Sequence, residues 1–166
     1  MCWRSLVKSL AQGGKKDGKG GKISWLYSLD ARTSQNASYA NSINIPVSTT
    51  PQLFAQLTLT TTGATQNLRT QITGTVAVQL PLVPLVTSVT ITIVRGTTPS
   101  DLVISSVRGV LDTSIIGPQV LSFTASDFNV PIPDNNRVVY TAFISASALG
   151  TVRVGPESFN ATLYSD

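Results

Sequence analysis

From residue 43 onward the apolar residues recur at every second position. Leu53, Ala55, Leu57 and Leu59 alternate with Gln56, Thr58 and Thr60. Leu68, Thr70, Ile72, Gly74, Val76, Val78 and Leu80 share one face of the next run, with Arg69, Gln71, Thr73, Thr75 and Gln79 on the other. Val89, Ile91 and Ile93 continue the pattern with Thr90 and Thr92 outside, and further runs follow at 102–104, 120–125, 138–146, 151–154 and 158–164. A period of two predicts strands with one buried face. Between the runs sit Thr62-Gly63, Pro81 to Pro84, Gly96 to Pro99, Gly117-Pro118, Pro131 to Asn136, Leu149-Gly150 and Gly155-Pro156. Glycine, proline and asparagine end strands by fixing or freeing backbone torsions, so these are turns. About eight strands with no helical pattern between them predict an all-β antiparallel sandwich, with a jelly roll as the preferred topology.

The first 42 residues read differently. Trp3, Leu6, Val7 and Leu10 fall at i, i+3, i+4 and i+7 with Arg4, Ser5, Lys8 and Ser9 opposite. That is a helical stripe of fewer than three turns, too short to hold alone in water. Residues 13–22 form a glycine-lysine linker, flexible by composition. Trp25, Leu26, Tyr27 and Leu29 make a small apolar patch before the polar stretch Arg32 to Ser42. The expected organisation is an arm (1–22), a connector (23–42) and a β-sandwich domain (43–166).

Charge sharpens the division. Arg4, Lys8, Lys15, Lys16, Lys19 and Lys22 against Asp17 alone give the arm +5. The rest has six basic and seven acidic groups, or −1, and no lysine at all. Charged residues make up only 12% of the chain, so there is little repulsion to keep copies apart. No apolar run is long enough to span a membrane, and the start lacks the apolar run and cleavage site of a secretory signal.

Candidate chemistry is sparse. There is no histidine, and the single cysteine, Cys2, excludes an intramolecular disulfide; a thiol at the tip of a chain is inert or bridges two chains. A Ser-Lys dyad needs a lysine that the body lacks. Asp30, Asp101, Asp112, Asp127, Asp134, Glu157 and Asp166, several of them near turn formers, read as turn carboxylates accepting backbone N–H groups rather than as acid-base pairs. Asp134-Asn135-Asn136, with Asp127 and Asn129 upstream, lacks the spacing of a calcium loop, and zinc lacks ligands. No catalytic residue, cofactor or metal is expected. Three readings of the arm follow from its residues: Cys2, Trp3, Leu6, Val7 and Leu10 docking onto protein, Arg4, Lys8, Lys15, Lys16, Lys19 and Lys22 meeting a nucleic acid or other polyanion, or the arm lying on a membrane surface or touching nothing.

Residues 89–99, Gly117-Pro118-Gln119-Val120, Val130-Pro131-Ile132-Pro133, Tyr140-Thr141-Ala142-Phe143 and Arg153 to Asn160 together resemble small jelly-roll proteins of the bacterial spore surface, of exosporium or appendage type, similar to the tumour-necrosis-factor-like fold. The resemblance covers residues 43 to 166 and implies a structural protein forming homo-oligomers, layers or fibres on a spore surface or extracellular appendage. A small satellite-type virus coat protein, its arm on RNA inside a virion, shares the same outline. A carbohydrate-binding or adhesin module is the third class, for which one of Tyr140 and Phe143, on opposite faces of a strand, would be exposed. Val89 to Val94 and Leu102 to Ile104 are the strands expected to offer free edges to another copy.

Overall fold

A computed structural model describes residues 27–80 and 86–165. It contains nine strands: β1 (Tyr27–Ala37), β2 (Ile45–Pro46), β3 (Gln52–Thr60), β4 (Leu68–Gln79), β5 (Ser88–Arg95), β6 (Leu102–Val110), β7 (Gln119–Val130), β8 (Arg137–Ala146) and β9 (Val152–Ser165). One sheet has the order β1-β9-β4-β7, with β2 also on β9, and the other the order β3-β8-β5-β6. Every pairing is antiparallel. Apart from two-residue β2, eight strands are dealt four to each sheet, and only the β5–β6 hairpin joins consecutive strands within one sheet. The alternation predicts the sandwich; the strand order, which alternation does not carry, is that of a jelly roll.

The inward residues of the two sheets meet in one core. Ile72 and Val76 of β4, Phe123 of β7, Phe159 and Leu163 of β9, Leu57 and Leu59 of β3, and Ile91 and Ile93 of β5 are all buried there. Removing each such side chain from water is worth about 1.5–3 kcal/mol, which is why period-two runs rather than local propensity fix the strands.

Three boundaries differ from the sequence expectation. The sandwich begins at Tyr27 and not at residue 43: β1, placed in the connector 23–42, pairs with β9 from Tyr27↔Ser165 to Ala37↔Glu157. Only Ala37 of its eleven residues is buried, since an edge strand laid over a finished core needs no apolar alternation. Within β3, a bulge between Leu53 and Ala55 turns Leu53 outward and lets Phe54 and Ala55 both be buried, the consequence of one extra residue on a period of two. Gly155-Pro156 does not end a strand, because β9 runs through it. Gly155 has φ +81°, and a Cβ there would lie 2.5 Å from the Tyr39 carbonyl oxygen. Only glycine passes that point.

Candidate self-association surface

The two flanks of the sandwich are finished differently. On the β1/β3 flank, Asp30 Oδ2 accepts the Thr60 N–H at 2.8 Å, and Asn36 Nδ2 donates to the Phe54 carbonyl at 3.1 Å. These bonds tie the two sheets together. Between β6 and β7, the edge strands of the other flank, no hydrogen bond runs among the described residues. The sheets part there into a mouth of about 270 Å³, lined by Val89, Ile91, Val107, Leu121 and Phe123 among others. Gly109 belongs to the same wall, and a Cβ on it would approach the Leu121 side chain at 3.3 Å.

Exposed apolar side chains concentrate on this flank. Of the fourteen large ones exposed among the described residues, eight fall between Leu102 and Phe128: Leu102, Val103, Val107, Val110, Ile115, Ile116, Val120 and Phe128. Ile116 is fully exposed, Phe128 71% and Val110 69%. Strand β6 is the extreme case, with none of its nine residues buried. Isolated surface apolar residues are ordinary; eight within one stretch of two strands and their connection are more than that.

Edge status divides the two strands expected to be free. Leu102 to Ile104 belong to β6, hydrogen-bonded on one side only, to β5. Val89 to Val94 do not form an edge: β5 is bracketed by β6 and β8, so its backbone groups are spent within the sheet. Alternation alone reports which face of a strand is buried and is silent about its neighbours.

The carboxylates sort into two kinds. Asp101 accepts the N–H groups of Thr97 and Thr98, each at 2.7 Å, and Asp112 takes the Ser114 hydroxyl and N–H. Those bonds hold both carboxyls below the ordinary aspartate range. Burial opposes ionisation of Asp30, but the Thr60 N–H and Arg32 outweigh it and its pKa is also lowered. These three match the turn and backbone-capping reading. A lowered folded pKa means stability that is present above the unfolded value, about 3.9, and lost as pH falls through the folded values. The urea midpoint is therefore expected to hold steady from pH 7 to 5.5, where a chain without histidine has little to titrate, and to drop by pH 3. An equal midpoint at pH 3 and pH 6 would count against these assignments.

Asp127 and Glu157 are corrections to that reading, being buried rather than in turns. Tyr140 Oη donates to Asp127 Oδ2 at 2.8 Å and lies 2.8 Å from Thr70 Oγ1, with Arg95 Nη1 3.5 Å from the same carboxylate oxygen. Burial, with Asp127 alongside, pushes the Tyr140 phenol well above its ordinary pKa. Glu157 forms a two-point ion pair with Arg153. Asn129 takes a left-handed conformation at the register shift inside β7; in the Asp134-Asn135-Asn136 turn, Asn136 is left-handed and the Asn135 side chain accepts the Arg137 N–H. The Asn-rich stretch is thus turn chemistry. Among the described residues no three His, Cys, Asp or Glu side chains gather into a metal-binding group.

Tyr140 and Phe143 are both buried, so neither is the exposed platform that the carbohydrate-binding reading asked of that pair. Phe143 lies against Leu53 and Thr92 in the sheet register. Among the described residues the exposed aromatics are instead Tyr27, Tyr39 and Phe128. Cys2, Trp3, Leu6, Val7 and Leu10, with Arg4, Lys8, Lys15, Lys16, Lys19 and Lys22, lie outside the described residues, as do Trp25 and Asp166. No helix of the described residues is long and apolar enough to cross a membrane. No protein-family model matches the chain, and no curated protein matches it in sequence.

Proposed function

We propose that this chain is a structural, non-catalytic subunit that assembles with copies of itself into oligomers, fibres or a surface layer on the exterior of a bacterial spore or cell. The observation that carries the reading is the β6/β7 segment, with an unburied strand and eight exposed apolar side chains, two of which, Val107 and Val120, line an open mouth in the core. A monomer leaves that surface in water. Another copy removes it, and the low charge of the body resists such contact weakly. Residues 1–22 dock into a neighbouring copy through Trp3, Leu6, Val7 and Leu10, since a stripe this short gains order only against a partner.

Deleting residues 1–22 tests the arm. The expected result is a folded β protein by circular dichroism, with the large assemblies of the full chain lost in velocity sedimentation. Assemblies of unchanged size would remove the arm from the reading. The second reading, a small coat protein whose arm binds RNA, is favoured by one observation: jelly-roll topology behind a +5 segment, a fold also used by viral capsids. Purified particles absorbing as nucleic acid at 260 nm would decide for it, and nucleic-acid-free fibres or sheets against it.

A further inference from the structure

An edge strand is finished by lysine, proline, an inward charge or a cover, because its unpaired N–H and C=O groups otherwise accept another strand. Strand β6, Leu102-Val103-Ile104-Ser105-Ser106-Val107-Arg108-Gly109-Val110, has no lysine, no proline and no cover among the described residues. Its one charge, Arg108, is turned back onto its own sheet, donating from Nε to Ser88 Oγ at 2.9 Å. A bulge beside Ile104 marks one end, and from Ser105 to Val110 the ladder with β5 is regular. The other edges differ. Strand β1 carries two register shifts and Arg32, and β3, with one bulge as in β6, is tied to β1 by hydrogen bonds across the flank. Strand β7 buries Phe123, Ala125 and Asp127, whereas no residue of β6 is buried.

We propose that β6 pairs antiparallel with β6 of a second copy about a two-fold axis at Ser106, joining the two four-stranded sheets into one of eight strands. This names the surface and the partner within the self-assembly reading above, and rests on it. Two features select this register. Ser106 is the midpoint of the strand and lies within its regular stretch, Ser105 to Val110. Each Arg108 then stands opposite Ile104 of the other copy, with the two guanidinium-bearing positions about 13 Å apart along the strand, four residues at about 3.3 Å each. Centring on Val107 or Arg108 brings the like charges within two residues or face to face, which costs stability.

The symmetry has a further consequence. A two-fold axis perpendicular to the joined sheet keeps both β7 strands on the same side, so the two mouths face each other and Val107 and Val120 gain cover. Such a contact is isologous and closes at two copies. Growth beyond a dimer then requires a different contact, which is the part the arm plays.

Cysteine scanning of the full-length chain in a Cys2→Ser background tests the pairing. Residues directly opposite in an antiparallel ladder have Cα atoms about 4.5–5.5 Å apart, inside the range a disulfide bridges. Under mild oxidation Ser106→Cys is expected to give a disulfide-linked dimer as the major band on a non-reducing gel. Val110→Cys is expected to stay monomeric on that gel. No Ser106→Cys dimer from a chain that still sediments as an oligomer would overturn the β6 pairing while leaving self-assembly in place. Equal cross-linking of Ser106→Cys and Val110→Cys would also overturn it, as random collision or another occupant of the edge. Sedimentation of the Cys2→Ser chain as a strict monomer would remove both readings.

Discussion

Replacing Glu157 by alanine is expected to destabilise the sandwich by about 3–5 kcal/mol, the cost of leaving a buried charge without its partner. Arg153 Nε lies 2.6 Å from Glu157 Oε1 and Nη2 2.5 Å from Oε2, and the two side chains are 4% and 0% exposed. The guanidinium also sits 5.0 Å from the centre of the Phe54 ring. Four residues apart on a regular strand, these groups would be about 13 Å from each other. They meet because β4 advances from Val76 to Val78 while β9 runs from Glu157 back to Arg153, so β9 loops outward at Gly155-Pro156 and folds the pair together. Arg153 in Glu157→Ala has nowhere to place its charge. The pair is not thereby a large net stabiliser, since two charges were desolvated to form it. A double replacement, Arg153→Met with Glu157→Leu, should accordingly recover most of the loss. Urea unfolding of the three variants checks this. A Glu157→Ala cost below about 1 kcal/mol would mean that Arg153 escapes to water, contrary to its burial.

Phe123→Ala should cost a similar amount, about 3–5 kcal/mol. The Phe123 ring packs against Phe54 and Phe159 at centroid distances of 6.4 and 6.3 Å, and beneath it lies Gly74. A Cβ on Gly74 would stand 2.2 Å from the Phe123 Cζ, so the glycine is the floor that the ring rests on. Truncating the ring leaves a void over a residue with no side chain to fill it, which places the cost in the upper part of that range. The reverse change, Gly74→Ala, overpacks the same spot and is expected to cost about 1–3 kcal/mol. The two are coupled: in a Phe123→Ala background the Gly74→Ala penalty should vanish or change sign. Additive effects in a denaturation cycle would show that ring and glycine are not the contact described.

Phe123 also links the core to the surface proposed for assembly, because it lines the mouth between β6 and β7. Softening that wall should therefore weaken self-association as well as stability. The effects on β6 itself are separable. Leu102 and Val110 are exposed and contribute little to the isolated sandwich.

Alternation of Leu68 to Leu80, and of Val89 to Ile93, was enough to read strands, their buried faces and a two-sheet body, because burial acts on every second residue wherever the neighbouring strand comes from. Most of the turn formers marked strand ends for an equally local reason, Gly155-Pro156 excepted, since β9 runs through it. The +5 arm and the lysine-free body were equally plain, being counts of charge. Tertiary structure alone decided which strands are edges: β5 is enclosed and β6 is free, although both are rich in valine and isoleucine. Edge status depends on partners distant in sequence, and so leaves no mark on the strand's own period. The same holds for β1, whose polar residues become a strand only when β9 is there to pair with. It holds too for Asp127 and Glu157, which looked like turn residues until the folded chain brought Tyr140 and Arg153 against them.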